Sequence, residues 1–264
     1  MVQKPKSLVL SGFGVNCDYE MSHAFELAGA ESRRVHLEDL ISGKVKLEDY
    51  HVLSFPGGFS YGDDIASGKV YANKVKQNIY DRVLRFVADG KLVIGVCNGF
   101  QMLVKMGLLP GLDGDYRTQT STLSFNDSGR FESRWVFVKE NPSSKCIFTK
   151  GVGMLPVPVR HGEGKFIPST PDVLRRIHSE GMVALQYCDS IGNVTMDYPL
   201  NPNGSTDSIA GICDPTGRVF GMMPHPEAHI FRHNNPQWPR QPLPAEGEGF
   251  KVFQNAVEYL RQKF

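Results

Sequence analysis

Cys97 stands between two glycines in the stretch Gly95-Val96-Cys97-Asn98-Gly99. This G-x-C-x-G pattern is the thiol counterpart of the serine nucleophile elbow. A nucleophile raised on a tight strand-to-helix turn needs small residues two before and two after it, because the backbone is crowded there. Such a turn places the sulfur at the positive end of the following helix, which favours thiolate over thiol. It also aims the Asn98 N–H at a developing oxyanion. A cysteine taken alone reads as a buried core residue, so the pattern gains force only if the chain also offers a base and a second oxyanion donor. Pro56-Gly57-Gly58 follows one apolar run, and Gly58 can bring a bare N–H close to a bound carbonyl. Met223-Pro224-His225-Pro226-Glu227 follows another. Its prolines fix the backbone on both sides of His225, and Glu227 can hold the imidazole in one tautomer. These are the parts of thiol-based acyl transfer: nucleophile Cys97, base and acid His225, orienting carboxylate Glu227, and oxyanion donors Gly58 and Asn98.

For these residues to meet, the elements that carry them must end on one edge of a sheet. Ser7–Ser11, Arg33–Leu37, His51–Phe55 and Leu92–Val96 read as short strands. Helical patterns fill Asp18–Ala28, capped by Asp18 and stopped by Gly29, and Tyr71–Ala88, closed by Asp89-Gly90. Strands alternating with helices indicate an α/β fold, an open, mostly parallel sheet flanked by helices. The second half adds strands at Thr120–Phe125, Arg134–Val138, Val157–Arg160, Met182–Tyr187, Ile209–Ile212 and Arg218–Met222. Asp214-Pro215-Thr216-Gly217 makes a hairpin turn between the last two. Gly249–Phe264 is helical, and Asn234–Gly249, rich in Pro and Gly, is an irregular loop. No repeat or linker divides the chain, so residues 1–264 are expected to form a single domain.

The bulk composition narrows the partners. The 264 residues carry 29 basic and 28 acidic side chains, a net charge of +1, so neither nucleic acid nor a membrane surface is expected to bind. No apolar run approaches a membrane span. The five cysteines are scattered without a Cys-x-x-Cys pair, which fits a reducing cytoplasm better than a disulfide framework or structural zinc. His225, His229 and His233 fall at i, i+4 and i+8, a spacing that would align metal ligands on one helical face. His225 already has a role and a proline after it, so no metal is expected.

Taken with further stretches, the three motifs resemble the class I, triad-type glutamine amidotransferases, whose fold has a flavodoxin-like core. Within that family, several stretches are similar to the glutaminase branch of the phosphoribosylformylglycinamidine synthases. They are Gly14-Val15-Asn16-Cys17-Asp18, Phe59-Ser60-Tyr61-Gly62-Asp63-Asp64, Asn98-Gly99-Phe100-Gln101, Asn126-Asp127-Ser128-Gly129-Arg130-Phe131-Glu132 and His161-Gly162-Glu163-Gly164. The lead-in Phe13-Gly14 and the segment His229–Glu248 depart from shorter members. The resemblance implies that glutamine is hydrolysed through a Cys97 thioester. Ammonia then passes to a separate large synthetase subunit, which converts formylglycinamide ribonucleotide to formylglycinamidine ribonucleotide in de novo purine biosynthesis. ATP and magnesium are expected on that partner and no cofactor on this chain, which carries no G-x-x-x-x-G-K-[ST] phosphate loop. A small accessory subunit is compatible with the resemblance. Gln101, one helical turn after Cys97, is a candidate substrate contact or a solvent-facing or supporting amide. Arg130, Glu132, His161 and Glu163 are left outside the catalytic set. Two rival readings stand beside this one, a glutaminase serving another acceptor and a catalytically silent regulatory homologue.

Overall fold

The structure, a computed structural model, describes residues 4–264. Its first half alternates as expected: β1 (Lys6–Ser11), α1 (Asp18–Leu27), β2 (Glu31–His36), α2 (Leu37–Ile41), β3 (Val52–Phe55), α3 (Lys69–Asn78), α4 (Tyr80–Ala88), β4 (Leu92–Val96) and α5 (Asn98–Met106). The second half runs β5 (Ser121–Ser124), β6 (Glu132–Glu140), β7 (Met154–His161), β8 (Lys165–Pro168), α6 (Pro171–Ser179), β9 (Val183–Cys188), β10 (Ile209–Cys213), β11 (Val219–Met222) and α7 (Phe250–Lys263).

Nine strands make one sheet in the order β2-β1-β3-β4-β11-β10-β9-β6-β7, while β5 and β8 pair apart from it. The ladders from β2 through β11 are all parallel. Those from β11 to β7 are all antiparallel. Every residue of β3, β4 and β11 is buried. That is why these strands read as continuous apolar runs and not as an alternation. Helices flank the sheet. Phe25 of α1 meets Phe253 of α7 edge-on at 5.1 Å, and Phe100 of α5 lies near-parallel to Phe166 of β8 at 6.1 Å.

The topology puts four loops side by side. β1, β3, β4 and β11 are neighbours pointing the same way, so the chain leaves all four at one edge of the sheet. Ligands in open α/β sheets bind outside this carboxyl edge. The four exits lead to Cys17, Gly58, Cys97 and His225.

The structure departs from the sequence reading in a few elements. The helix expected over Tyr71–Ala88 is two helices meeting at Ile79, whose backbone leaves the helical region at φ −134. There the Asn78 amide donates to the Lys74 carbonyl at 2.7 Å, a local bond of the kind by which Asn competes with helix propagation. The residue capping α1 is Cys17; Asp18 lies inside the first turn, where it is buried and paired with Arg34 at 3.1 Å. The elements α2, β8 and α6 were not read from the sequence. Of these α6 carries a clear signal, a Thr170 side chain that caps Val173 N with Pro171 at the first helical position.

Candidate active site

The elbow is built by two absent side chains. Gly95 and Gly99 face one another across the turn, and a Cβ on Gly95 would stand 2.7 Å from the Gly99 carbonyl carbon. A Cβ on Gly99 would stand 1.8 Å from the Phe55 carbonyl oxygen of β3. Between them Cys97 adopts φ 51, ψ −108, a conformation that non-glycine residues avoid and that clusters at functional sites. It is held there by its N–H donating to the Met222 carbonyl at 2.8 Å and its carbonyl accepting from Gln101 N–H at 3.1 Å. The strain is thus fixed by β11 on one side and α5 on the other.

The candidate base, His225, arrives on the loop that follows β11. His225 N–H donates to the Pro158 carbonyl at 2.9 Å, and its ring lies buried, with Nδ1 2.5 Å from Glu227 Oε1. Burial alone would push the imidazolium down, but the Glu227 carboxylate, with Cys97 and Cys17 also contributing, outweighs it and holds His225 well above the ordinary histidine range. Nε2 is buried without a hydrogen-bond partner among the described residues. The Cys97 thiol points to the Arg160 carbonyl at 3.6 Å.

The two expected oxyanion donors come from different loops. Asn98 is the first residue of α5, so its N–H is one of the four a helix leaves without a carbonyl. Gly58 sits in an isolated bridge with Val15. That bridge uses Phe59 N–H on Gly14 and Asn16 N–H on Gly57, leaving the Gly58 N–H out of it. Gly58 is at φ +147, and a Cβ there would lie 2.5 Å from the Gly14 carbonyl oxygen. Glycine is therefore required both by conformation and by space. The Asn98 side chain ties the two loops together, accepting from Ser60 N–H at 3.2 Å and donating to Asp63 and Gln101.

Cys97, Gly58 and His225 share one cavity of about 320 Å³ with Asn16, Cys17, Glu20, Phe59, Phe131, Ser133 and Arg160. That is within the usual size range of small-molecule sites. Gln101 does not line it. Its amide accepts from Asn98 and donates to the Glu163 carbonyl at 2.6 Å, so it braces the elbow from behind. Glu163 in turn accepts from Ser67 N–H. His161 and Gly164 converge on Asn126, which pins the loop after β7. Glu132 pairs with Arg134. The sequence reading assigned roles to only three cavity residues, Gly58, Cys97 and His225; Cys17, Glu20 and Arg160 are among those it passed over. Cys17 lies within the stretch Gly14–Asp18 that carried part of the resemblance and Glu20 just after it, while Arg160 has no local signal.

The three histidines do not share a helical face. Pro226–Ala228 and Arg232–Asn234 are single 3-10 turns. His229 is committed to the Pro156 carbonyl at 2.7 Å and to Glu248 at 3.2 Å, and His233 stacks on Phe231.

Comparison with known proteins adds the following. Residues 4–260 match the model of a family described as CobB/CobQ-like glutamine amidotransferase domain. The phosphoribosylformylglycinamidine synthase subunit PurQ of Methanococcus maripaludis is 45% identical, the alignment covering 98% of each chain. The subunit of the same name from Dehalococcoides mccartyi is 46% identical over 99% of this chain and 100% of its own. Among solved structures, a chain in the structure of PurLQS from Thermotoga maritima is 31% identical with a TM-score of 0.72, covering 98% of this chain and all of that one.

Proposed function

The chain belongs to the CobB/CobQ-like glutamine amidotransferase family, and on that footing we propose that it is the glutaminase subunit of a phosphoribosylformylglycinamidine synthase. It hydrolyses glutamine to glutamate and supplies ammonia to a large synthetase subunit, where ATP and magnesium bind and formylglycinamide ribonucleotide becomes formylglycinamidine ribonucleotide. The whole chain, 1–264, acts as one amidotransferase domain. The observation that carries the catalytic part is the strained Cys97 elbow opening into the same cavity as a buried His225–Glu227 pair.

His225 takes the Cys97 proton, and the thiolate attacks the side-chain carboxamide of glutamine. Negative charge collects on the former carbonyl oxygen, where the N–H groups of Gly58 and Asn98 receive it more strongly than they receive a planar amide. Protonated His225 gives its proton to the departing nitrogen, since amide ion cannot leave at neutral pH. Ammonia departs and Cys97 is left as a thioester. His225 then draws a proton from water, which attacks the thioester and releases glutamate. Glu227 fixes the ring orientation and stabilises the imidazolium in both halves.

The compartment is the cytoplasm on this reading, which the five unpaired cysteines support. Among the described residues no helix is long and apolar enough to cross a membrane. The test is reconstitution with the synthetase subunit and comparison of glutamine with ammonium as nitrogen donor. Cys97→Ala is expected to abolish glutamine-dependent product formation and to leave ammonium-dependent formation in place. Retention of the glutamine-dependent reaction removes Cys97 from the mechanism. No product with either donor, from the unsubstituted complex, removes the purine assignment.

A further inference from the structure

A second thiol stands against the catalytic histidine and takes no part in the mechanism above. Cys17 Sγ lies 4.0 Å from His225 Nδ1, on the face of the ring that also meets Glu227. One ligand atom from each of Cys17, His225 and Glu227 falls within 4.8 Å of the other two, the one such group of three among the described residues. Glu227 has a second oxygen, Oε2, that is buried and without a hydrogen-bond partner among the described residues. A buried carboxylate oxygen left so calls for an explanation. The group is also reachable, because Cys17 and Glu227 line a second cavity of about 280 Å³, with Arg160, Glu20, His23 and Asn234 among its walls.

We propose that Cys17, His225 Nδ1 and Glu227 form an inhibitory site for zinc, with water from the second cavity as the fourth ligand. The donor set suits the metal: one thiolate, one imidazole and one carboxylate are the three zinc ligand types, and a fourth open position is usual when only three come from protein. The geometry is close. Tetrahedral zinc with ordinary bond lengths sets sulfur and nitrogen about 3.5 Å apart and nitrogen and oxygen about 3.3 Å apart. From 4.0 and 2.5 Å, the sulfur has to close by about 0.5 Å and the carboxylate to withdraw by about 0.8 Å, for those bond lengths.

Coordination would silence the base without touching Cys97. The metal takes the Nδ1 lone pair, so the Nδ1 and Cys17 protons are released to solvent and the remaining ring proton is fixed on Nε2. Nε2, now protonated, cannot accept a proton from Cys97, and Glu227 no longer orients the ring. Zinc binding itself requires nothing of the glutaminase reading; only the loss of activity rests on it.

The experiment uses the full chain without glutamine. Zinc affinity is measured by competition with a chromophoric chelator, and cobalt replaces zinc to report thiolate ligation through its charge-transfer band. One equivalent and a thiolate–cobalt band are expected for the unsubstituted protein and for Cys97→Ser. Cys17→Ser is expected to lose the band and to need at least about tenfold more zinc for half-saturation, since even an outer-shell ligand partner is worth that much. Glutamine hydrolysis should fall with occupancy and return on chelation. Unchanged affinity in Cys17→Ser overturns the proposal, as does a cobalt band lost in Cys97→Ser. Should Cys17→Ser fail to fold, the Cys97→Ser spectrum alone decides. Because binding is read without turnover, a failed metal site and a failed glutaminase assignment give different results.

Discussion

A single methyl group on Gly58 tests whether the loop after β3 is catalytic or merely a turn. In Gly58→Ala the new Cβ would lie 2.5 Å from the Gly14 carbonyl oxygen and 2.8 Å from Val15 Cα, both backbone atoms. Ordinary contact begins at 3.4 Å, so one strand of the Gly58–Val15 bridge must give way by about 0.9 Å, with no flexible side chain to absorb the shift. The residue is also at φ +147, which alanine resists. An oxyanion donor moved that far loses most of its value in the transition state. Misplacement by an ångström costs about 10² in rate, and complete loss of one donor about 10²–10³. Glutamine turnover by the reconstituted complex is therefore expected to fall by about two orders of magnitude, while ammonium-dependent turnover is unchanged. Gly43→Ala serves as the control. It too has positive φ, +75, but a Cβ there meets nothing within 4 Å. Its expected effect is about 1–2 kcal/mol of stability from the left-handed backbone, read by denaturant unfolding, with normal turnover. If Gly58→Ala folds and hydrolyses glutamine within a few-fold of the unsubstituted rate, the Gly58 N–H does not hold the oxyanion.

Two further outcomes follow from the buried histidines. Glu227→Gln removes the charge that outweighs burial at His225, so the protonated ring is lost at lower pH. The alkaline limb of the pH–rate profile should move down and turnover should fall by about 10²–10⁴; an unmoved limb would separate Glu227 from the base. Burial, with the His225 charge second, holds His161 down to about 3, whereas an unfolded histidine titrates near 6.5. Between those values the unfolded chain binds the extra proton, so the stability from His161 is complete above about pH 6.5 and is lost as pH falls. At pH 5 the loss is about 2 kcal/mol. His161→Gln should flatten that part of the slope in unfolding midpoints taken between pH 7.5 and 5, and an unchanged slope would mean that His161 is protonated in the native state.

The candidate site was legible because each part is a rigid backbone device with a local signature. Glycines two either side of Cys97, a Gly-Gly after a buried strand and a Pro-flanked His225 are all visible in the sequence, and the glycines prove to be dictated by sterics at the sheet edge. Side chains that act through distant partners were not legible in the same way. Arg160 is one residue in a strand, and nothing around it announces that its carbonyl faces the Cys97 thiol. Gln101 shows the limit from the other side, since its spacing from Cys97 is right for a pocket residue. What fixes its role is Glu163, more than sixty positions away, which consumes its amide. The break at Ile79 was missed for a similar reason, because no Pro or Gly marks it. The apolar β8 run was too short to separate from the loops around it.

The place of β11 has a consequence for how the chain is made. It is inserted between β4 and β10 in the middle of the sheet, although among the described residues it is the last of these strands in chain order. Chains generally fold from the amino end as they emerge. Until Val219–Met222 appears, β4 presents a bare flank and the Cys97 N–H has no Met222 carbonyl to hold it. A nascent or prematurely terminated product would thus carry its sulfur without a base and with the turn beneath it unset. Ammonia would be made only by chains extended past His225.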